Sequence, residues 1–138
     1  MAIYDSQTQS KSTRNSRKFR DIDLDFGRNI VTNDVNVVED VIAVKRSVRN
    51  LLSTNNYERP FKPGLGVDLR GMLFELNSTP TDVLKDDIVE LIEKFEPRVN
   101  VLNIGTTFRG NTLNVTLEFA VINDPRPQEL TLSLERVR

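Results

Sequence analysis

Residues 93 to 100 read EKFEPRVN, and across this stretch the hydrophobic repeat changes period. Before it, Leu84, Ile88, Leu91, Ile92 and Phe95 recur at the spacing of one helix face. After it, Leu113, Val115, Leu117, Phe119 and Val121 alternate with Thr112, Asn114, Thr116 and Glu118, the repeat of a strand with one face covered and one wet. Pro97 has no amide N–H to extend the helix, so the helix must end about there. A helix feeding directly into alternating strands restricts the chain to the α+β class.

The rest of the pattern fills in that class. VNVLNIGTTF, RGN and TLNVTLEFAVI read as a hairpin, and after the pairing-breaking prolines of NDPRPQ the segment ELTLSLERVR brings Leu130, Leu132 and Leu134 at period two. Thr79 as N-cap, Pro80 at the first helical position and Asp82 in the first turn mark the start of the helix that Pro97 ends. An earlier helix is predicted over NVVEDVIAVKRSVRNLLSTNN, with Asn36 as N-cap, Val37, Val41, Val44, Val48 and Leu51 facing the core, Ile42 and Leu52 beside them, and Asn55-Asn56 as stop residues. Lys45, Arg46 and Arg49 fall on its solvated side. Between the helices, Pro60, Pro63, Gly64, Gly66 and Gly71 fix an ordered connection that Leu65, Val67, Leu69, Met72, Leu73 and Phe74 can plug into the core. The expected fold is a small, mainly antiparallel C-terminal sheet packed against two main helices, with an extended N-terminal arm.

That arm differs in composition from the rest. Residues 1–20 hold Lys11, Arg14, Arg17, Lys18 and Arg20 against Asp5 alone, so they carry +4 while the whole chain of 138 residues is −1. With almost no apolar residues to offset ordering entropy, the arm is expected to be disordered by itself, and 21–138 to form a single domain. Next, Ile22, Leu24 and Phe26 alternate with Asp21, Asp23 and Asp25, which predicts a half-buried strand. The three aspartates do not make a calcium loop, because Thr32 stands where the bidentate Glu is needed and apolar residues separate the acids.

The chain has no Cys and no His, which removes disulfides, thiolate nucleophiles, Cys/His zinc sites and imidazole bases. No apolar run approaches the length of a membrane span and no secretory h-region follows Met1, so an intracellular setting without membrane is expected. GLG at 64–66 lacks the continuation of a phosphate loop.

Two blocks in order carry a resemblance. IAVKRSVRNLLSTNNYERPFKPGLGVDLRGMLFEL at 42–76, followed by FEPRVNVLNI at 95–104, resembles the baseplate wedge and sheath-initiator family of contractile-tailed phages, whose type VI secretion counterpart shares the Glu-Pro-Arg signature. The resemblance covers about residues 19–138 and leaves out the basic arm. It implies a structural adaptor with no enzymatic activity and no cofactor, located in the tail baseplate of the virion and assembled in the host cytoplasm. Its implied partners are other baseplate wedge proteins, the tail sheath subunit and the neighbouring tail tube. Glu96, Pro97 and Arg98 are expected to meet wedge partners, the proline holding the guanidinium fork in fixed geometry, so that Arg98→Ala should spare the fold while weakening assembly. Against this stands an internal, turn-stabilising Glu96–Arg98 pair. Leu130, Thr131, Leu132, Ser133 and Leu134 are the expected edge onto which the sheath strand adds.

Two rivals remain. Members of the family are sometimes called lysozyme-like, and a glycosidase would need two carboxylates across a cleft; Glu75 and Glu118 are candidates without a recognisable partner. The basic arm could instead dock on nucleic acid, but over residues 1–18 Tyr4 is the one stacking residue, which disfavours that reading.

Overall fold

A computed structural model describes residues 19–74, 81–122 and 124–136. Residues 1–18 of the 1–20 arm lie outside them, as do Glu75, Thr79 and Pro80. Eight elements follow in the order β1 (Arg20–Ile22), β2 (Val37–Glu39), α1 (Asp40–Ser53), α2 (Leu69–Met72), α3 (Thr81–Phe95), β3 (Val99–Arg109), β4 (Thr112–Val121) and β5 (Asp124–Glu135). β1 and β2 form a small antiparallel ribbon, and β3, β4 and β5 form an antiparallel sheet with β4 in the centre.

The period change at Pro97 is realised as expected: α3 ends at Phe95 and β3 begins at Val99. Leu113, Val115, Leu117, Phe119 and Val121 of β4 are buried, joined by Leu130 and Leu132 of β5 and Val99 of β3. Val44, Val48, Leu51 and Leu52 of α1 and Leu84, Ile88, Leu91 and Ile92 of α3 close the same core from the other side. Helix stripe and sheet face each remove from water what neither could bury alone.

Four local expectations need correction. The segment 21–34 is not a half-buried strand. Strand β1 ends at Ile22, beyond which an isolated Arg28–Val35 bridge replaces a continuous ladder, and Ile22, Leu24 and Phe26 are all exposed. The Asp23 carboxylate accepts the Asp25 amide and Phe26 N–H bonds Asp23 O, so an Asx-type turn, with Phe26 at φ +51°, competes successfully with the extended form. Asn36 does not cap α1, because Val37–Glu39 is strand β2 and the helix starts three residues later; Val37 and Ile42 therefore face solvent. The helix stops at Thr54, before Asn55, with the Thr54 hydroxyl and amide both bonding Asn50 O. Pro125 and Pro127 do not delay β5, which already pairs Asp124 with Val121; they occupy a register irregularity before regular pairing resumes at Gln128.

The connection after α1 packs on the core through Leu65, Val67, Leu69, Met72 and Leu73 and contains the short α2, but Phe74, expected to join them, is exposed, lying one residue past the last core contact. Asp68 caps α2 by accepting Gly71 N–H at 2.7 Å. Gly66 sits at φ +115°, and a Cβ there would lie 2.3 Å from Thr54 O, so glycine permits both the turn and the Val67 N–H to Thr54 O bond.

Candidate functional site

Glu96 ends α3 with its amide still bonding Ile92 O at 2.7 Å, while its own carbonyl accepts Val99 N–H. Two residues later Arg98 O accepts Ile122 N–H at 3.0 Å, so helix, turn and sheet are joined within four residues. Pro97 is exposed at the turn, whereas the Glu96 side chain turns inward and the residue is 2% exposed.

This buried carboxylate is held from two directions. Arg98 Nε donates to Oε1 and Nη2 to Oε2 at 2.7 Å, a two-pronged pair, and the Ser47 hydroxyl of α1 donates to Oε2. Arg98 also lies over the Phe19 ring, 5.1 Å from its centroid. Phe19 N–H in turn donates to Asp40 Oδ1 and Phe19 O accepts Asp40 N–H at 2.7 Å. The junction thus ties together α1, α3, β3 and the residues that precede β1.

Desolvation is the largest single influence on the Glu96 carboxyl and pushes its pKa up. The hydrogen bonds from Arg98 and Ser47 and the Arg98 charge together outweigh it, so the net pKa is lowered. Glu96 also raises the Arg98 pKa through the same hydrogen bonds. Glu96 is therefore an anion held ionised, the opposite of a general acid.

The expectation that Arg98→Ala would spare the fold does not survive this geometry. The fork is engaged inside the chain, and removing it strands a buried charge. Ser47 was missed in the sequence, although a signal existed: it lies four residues from both Ala43 and Leu51, a hydroxyl on the buried stripe of α1. Also missed was Arg46, assigned to a solvated face, which bridges Asp23 and Asp25, the latter at 3.0 Å.

The second expected site is built differently. Arg136 N–H donates to Asn111 O at 2.9 Å just beyond the β4–β5 ladder, where Leu113 pairs with Leu134, Val115 with Leu132 and Leu117 with Leu130. Antiparallel bonding alternates, so those three pairs are the bonded ones, and Thr131 and Ser133 turn their backbone N–H and C=O groups away from β4. Among the described residues no strand pairs with that outer side. Leu130 and Leu132 are buried, Leu134 is half-buried, and Thr131 and Ser133 are exposed. The two sites are separate: Arg98 stands beside Ile122, whereas Leu130–Leu134 lies beside Leu117–Leu113, about 15–30 Å farther along β4. Glu118 is exposed on the outer face of the sheet, without the apolar setting that an acid catalyst requires.

A baseplate wedge protein of Enterobacteria phage T4, gp25, is 34% identical over 87 residues, which is 60% of this chain and 65% of the T4 protein. The chain thus matches just under two thirds of that relative's length. A Geobacter sulfurreducens protein provisionally named a tail lysozyme has a similar fold, with a TM-score of 0.59, 21% identity, and 69% of this chain and 89% of that one covered. A chain of the anti-feeding prophage baseplate is similar over 86% of both chains at a TM-score of 0.56 and 17% identity. The family profile described as "Baseplate wedge protein gp25" matches residues 38–126, which includes the Glu96-Pro97-Arg98 turn and stops before Leu130. The chain belongs to the baseplate wedge protein gp25 family.

Proposed function

We propose that this protein is a non-enzymatic structural component of a contractile-tail baseplate in the virion, which joins other wedge proteins and nucleates the sheath by accepting a strand along β5. Membership in the wedge family supports the baseplate role. The observation that carries the strand-addition reading is the outer side of β5, where the Thr131 and Ser133 backbone groups point away from β4 above a buried leucine row. An extended segment of a sheath subunit would meet a ready row of donors and acceptors there. The other edge, β3, is less suited, because a register irregularity between Val101 and Asn103 twists it locally.

In this reading Glu96, Pro97 and Arg98 serve the wedge joint as a brace. The buried pair fixes the exposed Pro97 turn and the Phe19–Arg98 stack as one rigid surface beside the start of the sheet. Other wedge proteins, and the tail tube where the wedge approaches it, are the partners for that surface.

Proline substitution at Thr131 or Ser133 tests the edge. Each removes an amide that bonds nothing in β4, so the fold should persist by circular dichroism while strand addition fails. Baseplates should then contain the variant and lack sheath. Normally sheathed tails would remove β5 as the acceptor and shift the contact to the 101–122 hairpin.

A further inference from the structure

The turn that follows α1 displays two aromatic side chains almost completely: Phe61 is 97% exposed and Tyr57 83%. It is nonetheless an ordered turn. Tyr57 N–H bonds Pro63 O at 2.9 Å across its base, Lys62 N–H bonds Arg59 O, and Glu58 Oε2 accepts Asn55 N–H. Tyr57 is held at φ +64°, a left-handed conformation that costs a non-glycine residue free energy. Arg59 and Lys62 flank Phe61 and have no carboxylate partner among the described residues.

Beside this knob lies a cleft of about 330 Å³ between the turn and α3. Tyr57 and Pro63, the two ends of the turn, form one wall; Met72, Leu91 and Phe95 supply an apolar lining. Asp87 and Glu90 stand at its rim, both exposed and without an ion pair among the described residues. Asp68 adds a third carboxylate and Lys94 one opposing charge.

The knob is aromatic and net cationic, whereas the cleft combines an apolar floor with a polar, net acidic rim, Lys94 lying over the Phe95 ring at one end. They adjoin on one surface, so a twofold axis between two copies can bring each knob to the other's cleft, as an isologous contact requires. We propose that free copies of this chain associate as a reversible, symmetric dimer in which Phe61 of each enters the Leu91–Phe95 cleft of the other, with Arg59 and Lys62 against Asp87 and Glu90. The contact is independent of the β5 edge and of the Glu96–Arg98 junction. It withdraws the exposed aromatics from water until assembly.

Sedimentation velocity of the full chain over a concentration series tests the proposal. The wild type should pass from monomer to dimer, with weaker association at high salt because the paired charges lie at the rim. Phe61→Ser should raise the dissociation constant by tenfold or more, as loss of a central aromatic anchor does. Arg59→Glu/Lys62→Glu and Asp87→Lys/Glu90→Lys should each stay monomeric alone yet form a mixed dimer when combined, since both crossed contacts regain opposite charges. All five positions are exposed, so the folds should be unchanged. A wild type that stays monomeric up to its solubility limit, a dimer indifferent to Phe61→Ser, or charge variants that do not combine would each overturn the inference.

Discussion

Replacing Arg98 by alanine isolates what the Glu-Pro-Arg turn does. Glu96 is 2% exposed, and Arg98 supplies both of its charge-assisted bonds apart from the one from Ser47. Breaking a buried ion pair from one side costs about 3–5 kcal/mol. The Arg98 side chain is 31% exposed, so water can replace part of it and the low end, about 3 kcal/mol, is expected. With unfolding entropy near 2.1 cal/mol/K per residue over the chain, that corresponds to a drop of about 10 °C in Tm. The dependence on pH identifies the cause. In the wild type the folded-state pKa of Glu96 is below its ordinary value of 4.5, so the contribution is fully present above the unfolded pKa and is lost as pH falls through the folded one. In Arg98→Ala the desolvation that pushes the carboxyl up is left opposed by the Ser47 hydroxyl and the backbone amide of residue 98, without the bonds or the charge of the guanidinium. The folded pKa should then rise from its wild-type position, so the variant should fall furthest behind the wild type where Glu96 is ionised and least in acid. Urea unfolding followed by circular dichroism should therefore show a gap between wild type and variant that is wide at pH 7 and closes towards pH 4. Adding Glu96→Gln to Arg98→Ala should recover part of the loss at pH 7. A gap that is absent, or of constant size across this range, would show that Glu96 is not a buried anion dependent on Arg98.

Arg98→Lys should keep the charge but not the two-pronged geometry, giving an intermediate loss of stability and weaker pull-down of other baseplate proteins than the wild type. Val48→Asp would place an unpaired charge at a fully buried position of α1 and should cost several kcal/mol; an unchanged melting temperature would contradict the packing of that helix. Gly66→Ala should lower stability by about 1–3 kcal/mol, since φ +115° and the approach to Thr54 O both exclude a Cβ; equal stability would mean the turn relaxes freely.

The amino-acid sequence by itself determined the elements whose pattern is long and periodic. Ile88, Ile92 and their neighbours define a helix face over four turns, and Leu113 to Phe119 define a sheet face, because each buried residue repeats the same local geometry. Pro97 marked the junction for an equally local reason, the missing amide. The Glu-Pro-Arg tripeptide and the blocks at 42–76 and 95–104 were also sufficient to suggest the family. Short segments were not legible. From Asp21 to Asn36, alternating aspartates fit a strand as well as a turn, and the outcome rests on Arg46, twenty-three residues from Asp23 along the chain, and on the Asx-type bond at Asp25. Likewise, no local rule says whether Arg98 turns outward to a partner or inward to Glu96. Only the tertiary structure decided it, by bringing Ser47 and Phe19 to the junction: once Glu96 is withdrawn from water, the cost of an unpaired charge fixes where the guanidinium must be.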